Sequence, residues 1–182
     1  MEKEEFERVF EKQLHNEPCF NEKGDYIGWF SRSCAVVNFI FCKNENGDWC
    51  ILSSVRGEGT PDKELIGSWN CPCGYLDWNE TLAEAAIREL NEETGVKLST
   101  SDIKLVHVNS NPKDDKRQNI TFRFVGILND YKTTDFTFSH KGNEENEVGE
   151  IQFIPLKDVD KHKWSFNHLI LIKKYAKKYH LK

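Results

Sequence analysis

The sequence has no surplus of cations. Its 25 Lys and Arg stand against 30 Asp and Glu, a formal charge of −5. Non-specific nucleic-acid binding needs cations that displace phosphate counterions, so the balance argues against that class. It argues equally against an anionic membrane surface as the main partner. Long apolar runs are missing too. Crossing a bilayer takes about 18 such residues, and the most apolar stretch, Cys34 to Cys42, is interrupted by Asn38. The first residues, Met1 to Phe6, are acidic and hold no apolar signal core, which predicts a cytoplasmic protein without a membrane partner. The cysteines, Cys19, Cys34, Cys42, Cys50, Cys71 and Cys73, include no Cys-x2-Cys pair. That pattern argues against structural zinc, and reduced thiols are expected.

What is present suffices for one well-packed domain: 182 residues, 38% hydrophobic and 12% aromatic. Phe6, Val9, Phe10 and Leu14 recur at helical spacing and predict an amphipathic helix over 2–13. Residues 15–30, with Gly24 and Gly28, read as a loop or short hairpin. A strand over 32–42 and another over 49–55 flank a turn and predict a hairpin. Residues 57–67 read as a loop and 68–73 as extended. The Ala-, Leu- and Glu-rich run 81–94, followed by Gly95, is the strongest helix signal. Strands are expected over 103–108 and 118–128, then a polar loop over 129–147 with a short strand at 136–138. A last strand over 150–154 and a helix over 165–179 complete the pattern. Interleaved strands and helices place the fold in the α+β or α/β class.

On the helix over 81–94, Glu89, Glu92 and Glu93 stand at i, i+3 and i+4, so three carboxylates share one face. Arg88 lies on the i, i+4 diagonal from Glu92. Ala83, Ile87 and Leu90 form a separate stripe expected to face the core. A solvated acidic face is the plain alternative. Partial burial changes the balance: two carboxylates about 5 Å apart repel by roughly 3 kcal/mol at an effective dielectric near 20. A divalent cation reverses that sign, and hard oxygen ligands select Mg²⁺ or Mn²⁺.

The segment from Gly74 to Val96 resembles the Nudix box, G-x5-E-x7-R-E-U-x-E-E-x-G-U, where U is a bulky aliphatic residue. Gly74, Glu80, Arg88, Glu89, Leu90, Glu92, Glu93, Gly95 and Val96 fill every specified position. At roughly 6% per residue type, a chance match is on the order of one in a million. The resemblance implies a Nudix-like α/β/α sandwich with a mixed central sheet over residues 31–182, and leaves 1–30 as an N-terminal helix and loop extension packed on it. It further implies a Mg²⁺- or Mn²⁺-dependent pyrophosphohydrolase. The substrate would be a small nucleotide: a nucleoside diphosphate linked to another moiety, such as a sugar or ADP-ribose. A homodimer is allowed.

By resemblance, Glu89, Glu92 and Glu93 are the metal-binding carboxylates, joined by the Cys73 backbone carbonyl. Glu80 would sit near the metals or support the loop. Arg88 would fix a carboxylate by ion pairing. An acid outside the box often acts as base or ligand, and the loop before the last strand offers Glu144, Glu145 and Glu147, of which Glu145 or Glu147 is favoured. For phosphates there are Arg32 and Arg56, unless they serve surface ion pairs. For stacking on a base there are Tyr26, Trp29, Trp78 and Phe166, unless they pack in the core. His168 either lines the cleft or simply satisfies a helix terminus. Two rival readings follow. Isopentenyl-diphosphate isomerases place a catalytic cysteine where Cys73 stands, but they depart from the intact Arg-Glu-x-x-Glu-Glu run and carry a histidine where this chain has Tyr75. A Nudix-like nucleotide sensor would commonly lack box carboxylates, which are all retained here.

Overall fold

A computed structural model describes residues 16–114, 118–139 and 146–182. The helix expected over 2–13 lies outside the described residues, as do Glu144 and Glu145. The chain divides into two units, Met1–Ser33 and Cys34–Lys182. The first holds a hairpin of β1 (Glu17–Phe20) and β2 (Tyr26–Phe30), paired antiparallel from Glu17↔Phe30. Of the two readings for 15–30, the hairpin is therefore the one adopted.

The second unit is built on β3 (Cys34–Lys43) and β4 (Trp49–Arg56), an antiparallel hairpin as the turn residues predict. The remaining strands are β5 (Trp69–Asn70), β6 (Cys73–Tyr75), β7 (Lys104–Asn109), β8 (Ile120–Lys132) and β9 (Val148–Pro155). They form one mixed sheet in the order β5-β4-β3-β8-β7, with β6 added to β3 and β9 to β4. β3 and β8 run parallel and the other pairs antiparallel. The arrangement is α+β. Helices α1 (Leu82–Thr94) and α2 (His168–Lys178) cover opposite faces of the sheet.

Local chemistry explains both ends of α1. Thr81 accepts a hydrogen bond from the Glu84 N–H while the Glu84 carboxylate accepts one from the Thr81 N–H, a reciprocal cap. Gly95 takes φ +74 and its N–H donates to Asn91 O, closing the helix. Ala85, Ala86, Leu90 and Thr94 are buried, whereas Ala83 and Ile87 are only partly so. The core stripe is thus rotated slightly from the one expected. Asn38, the break in the apolar run of β3, has a purpose: its Nδ2 donates to Ala86 O at 2.8 Å and pins α1 to the sheet.

Two expectations fail. Residues 136–138 form no strand, because Phe136 and Phe138 turn their rings onto Phe153, with centroids 5.5 and 5.9 Å apart. Helix α2 starts at His168 rather than at 165. The Ser165 N–H donates to Trp69 O at 2.7 Å and Phe166 adopts φ +53, so the chain is held against β5 and then turns through the left-handed region before the helix can start. No disulfide joins the cysteines. Among the described residues no helix is long and apolar enough to cross a membrane.

Candidate active site

A cleft of about 1200 Å³ opens between the start of β3, the end of β4, β6, α1, the 146–148 segment and the start of α2. Its floor includes Val36, Val37 and Arg123; its rim includes Glu89, Glu92, Glu93, Arg56, Glu147 and Phe166.

Arg88 organises the acidic side. Its Nε donates to Glu80 Oε2 at 3.0 Å and its Nη2 to Glu80 Oε1 at 2.8 Å. Its Nη1 reaches both Glu89 Oε1 and Glu92 Oε2 at 2.9 Å, and Nη2 also reaches Tyr75 O at 2.8 Å. Such a fork needs a planar guanidinium. Both Glu80 oxygens are engaged, and one also accepts from the Asp77 N–H at 2.7 Å, so Glu80 takes the loop-supporting place. Hydrogen bonds from Arg88 hold its carboxyl below the ordinary range. Glu89 is the opposite case. Burial raises it, and Arg88 opposes that only in part.

Glu93 is the most perturbed acid. Burial first, and then the Glu89 charge, push it up to about 8, against the lowering influence of Arg56 and the Cys73 backbone N–H. Its Oε2 is buried and has no hydrogen-bond partner. An orphaned buried carboxylate oxygen beside a second buried carboxylate is the electrostatic condition that a divalent cation relieves. The donors are hard oxygens, which suits Mg²⁺ or Mn²⁺. Among the described residues no three His, Cys, Asp or Glu side chains already converge as a cage. Glu89 and Glu92 are turned onto Arg88 instead.

Gly74 shows how closely the loop and helix approach. A Cβ there would fall on the Glu89 carboxylate. Gly74→Ala is expected to push Glu89 off Arg88 and to lower kcat/KM about 10- to 100-fold, while circular dichroism stays native. Unchanged kinetics would show that the contact is dispensable.

The other side of the cleft is held by a glycine loop. The Gly57 N–H donates to Glu147 O at 2.7 Å and the Gly59 N–H to Asn146 O at 3.0 Å. A Cβ on Gly57 would collide with Asn146 O. This clamp brings Arg56 and Glu147 to one rim. Arg56 contacts the Thr60 hydroxyl and lies 5.7 Å from the Phe166 ring centroid, while its Nε is buried without a partner. His168 both lines the cleft and is satisfied: its Nδ1 accepts from the Cys71 N–H at 3.0 Å, and burial pushes its pKa down to about 3. Trp78 is 86% exposed and absent from the cleft lining. Tyr26 packs edge-on against Phe20 within the N-terminal unit, where Trp29 pairs with Pro18 and Arg32 follows.

A domain model for the NUDIX domain matches residues 34–175. The chain belongs to the Nudix family. An RNA pyrophosphohydrolase of Erythrobacter litoralis (strain HTCC2594) is 48% identical over 42 residues, 23% of this chain and 26% of that protein. The chain thus spans about a quarter of the length of such curated relatives. Among solved structures, the NUDIX domain of Shewanella oneidensis NrtR complexed with ADP ribose aligns with a TM-score of 0.68 at 19% identity, covering 98% of this chain and 99% of that one. A bifunctional NMN adenylyltransferase/ADP ribose pyrophosphatase from Francisella tularensis, complexed with AMP and a Mn ion, aligns at 0.61 with 18% identity, covering 96% and 45%. At these identities the likeness shows the fold.

Sequence reasoning missed two parts of this Nudix site. The Gly57–Gly59 clamp depends on a long-range pairing with 146–147. Arg123 has a sequence signal: a lone cation in the apolar run Thr121 to Leu128, at a position that alternation assigns to the buried face.

Proposed function

We propose that the chain is a Mg²⁺- or Mn²⁺-dependent pyrophosphohydrolase that cleaves the diphosphate of a nucleoside diphosphate joined to a second moiety. The orphaned Glu93 oxygen carries this reading. Glu89, Glu92, Glu93 and the Cys73 carbonyl would hold the cation. When bound, it neutralises phosphate oxygens and lowers the pKa of water. The rest is done by side chains. Arg88 orients Glu89 and Glu92 through its fork. Arg56 offers an unpartnered Nε to a phosphate. Glu147, or Glu145 two residues before it, accepts the proton of the attacking water. Phe166, half exposed beside Arg56, gives a stacking face. ADP ribose in one structural relative and AMP with manganese in another support the nucleotide class.

Cys73 does not favour the isomerase reading. Burial and the neighbouring Glu93 push its thiol up to about 12, which leaves a poor thiolate source. The test is a Mg²⁺-supplemented panel of nucleoside diphosphate sugars, ADP-ribose, dinucleotides and damaged nucleoside triphosphates, with product identification. Release of a nucleoside monophosphate from at least one is expected, and Cys73→Ala should retain it within about threefold. Tight binding with no turnover across the panel overturns the reading in favour of a sensor. Isomerisation of isopentenyl diphosphate that Cys73→Ala abolishes overturns it in favour of the isomerase.

A further inference from the structure

The proposed chemistry gives no task to one buried cation of the cleft. Arg123 is 7% exposed, sits in the middle of β8 and forms part of the cleft wall. Among the described residues no carboxylate pairs with it. A buried cation with no counter-ion is costly, and a fold keeps one only where something else repays the cost.

Its surroundings select the ligand. Cys73, Val37 and Arg123 are side by side on β6, β3 and β8, through Cys73↔Val37 and Val37↔Arg123. Two strand spacings put Arg123 about 10 Å from the Cys73 backbone. Its guanidinium therefore addresses a part of the substrate displaced from the link held at the carboxylates. The nearby charged and titratable groups are His168, Tyr175 and His107, with Arg56 on the other side of His168. His168 is neutral and spends Nδ1 on the Cys71 N–H, so its proton is on Nε2. The buried Tyr175 hydroxyl lies beside the guanidinium and accepts a long hydrogen bond from it, which steadies Arg123 and leaves its other N–H groups for a ligand. Arginine has no acceptor. Among the described residues this end of the cleft therefore offers hydrogen-bond donors and positive charge; the Asp114 carboxylate, which also lines the cleft, accepts from Asn111 Nδ2 at 2.9 Å and forms no ion pair with Arg123.

We propose that Arg123 is a substrate-binding residue that takes a second anionic group, a phosphate lying outside the scissile diphosphate. The identity of the scissile link rests on the hydrolase reading. The preferred substrate is then one whose far moiety carries a phosphate, in preference to a neutral sugar.

Calorimetry on the full chain in Mg²⁺ tests this with inorganic pyrophosphate and tripolyphosphate. The wild type should bind tripolyphosphate about 10- to 100-fold more tightly than pyrophosphate. Arg123→Met should lose that gain while keeping the pyrophosphate affinity, and Arg123→Lys should recover part of it. Arg123→Met should also melt no lower than the wild type without ligand, because it removes an uncompensated charge. Retention of the gain in Arg123→Met overturns the proposal, as does an equal loss for both ligands. A drop of several degrees in the melting temperature, shared by Arg123→Gln, also overturns it, since Arg123 would then hold the fold. Guanosine binding that depends on Arg123, with no tripolyphosphate gain, overturns it in favour of a base edge. Binding is read without turnover, so a chain inactive on every substrate defeats the hydrolase reading alone.

Discussion

Glu93→Gln is expected to lower kcat about a thousandfold and to leave the fold intact. The amide keeps the shape of the side chain but removes the charge that a cation needs. Its Oε2 is buried and unpartnered, so no protein hydrogen bond is lost there. Stability should respond as well, with a definite sign. Without a cation Glu93 is pushed up to about 8, against 4.5 for an unperturbed glutamate. Between those values the folded state holds a proton that the unfolded state has released, so stability falls as pH rises through the window. This contribution is complete below about 4.5 and gone above 8. Denaturant titrations in EDTA from pH 5 to 9 should show the slope in the wild type and its loss in Glu93→Gln. Added Mg²⁺ should stabilise the wild type more at pH 8 than at pH 6, because a metal ligand must be deprotonated. Wild-type kinetics in Glu93→Gln would remove Glu93 from the metal site.

Arg88→Met should cost about 3 kcal/mol of stability and abolish activity. The loss comes from what remains behind. Glu80 and Glu89 have side chains only 14% and 15% exposed, and both lose their ion pair at once. Arg88→Lys should rescue little, since one ammonium cannot span Glu80, Glu89, Glu92 and Tyr75 O together. The deficit should shrink as pH falls toward 4, where the stranded carboxylates protonate. Equilibrium unfolding at pH 7 and pH 4.5 measures both effects, and a neutral Arg88→Met would show that the fork contributes no net stability.

The box was legible because its constraints are local. Helical spacing alone places Glu89, Glu92 and Glu93 together, Thr81 and Glu84 write the cap, and Gly95 writes the stop. The hairpin of β3 and β4 was legible for the same reason, since its turn lies between its strands. The start of α2 was not, because Phe166 and Asn167 are set by the pairing of Trp69 with the 163–165 segment. Ser165 and Trp69 lie nearly a hundred residues apart in the chain, and no local propensity reports that contact.

The sequence by itself determined the family signature, the hairpin, the capped acidic helix and the oxygen donors suited to a hard cation. Tertiary structure alone decided the electrostatics. It engaged both oxygens of Glu80, left one of Glu93 orphaned, and placed Arg56, Glu147 and Arg123 around one cleft. The physical reason is desolvation: a carboxylate or guanidinium has an ordinary pKa and little energetic weight until packing removes water from it. Spacing along a helix can bring charges together, but only the sheet and helices folded over them decide which remain unpaired.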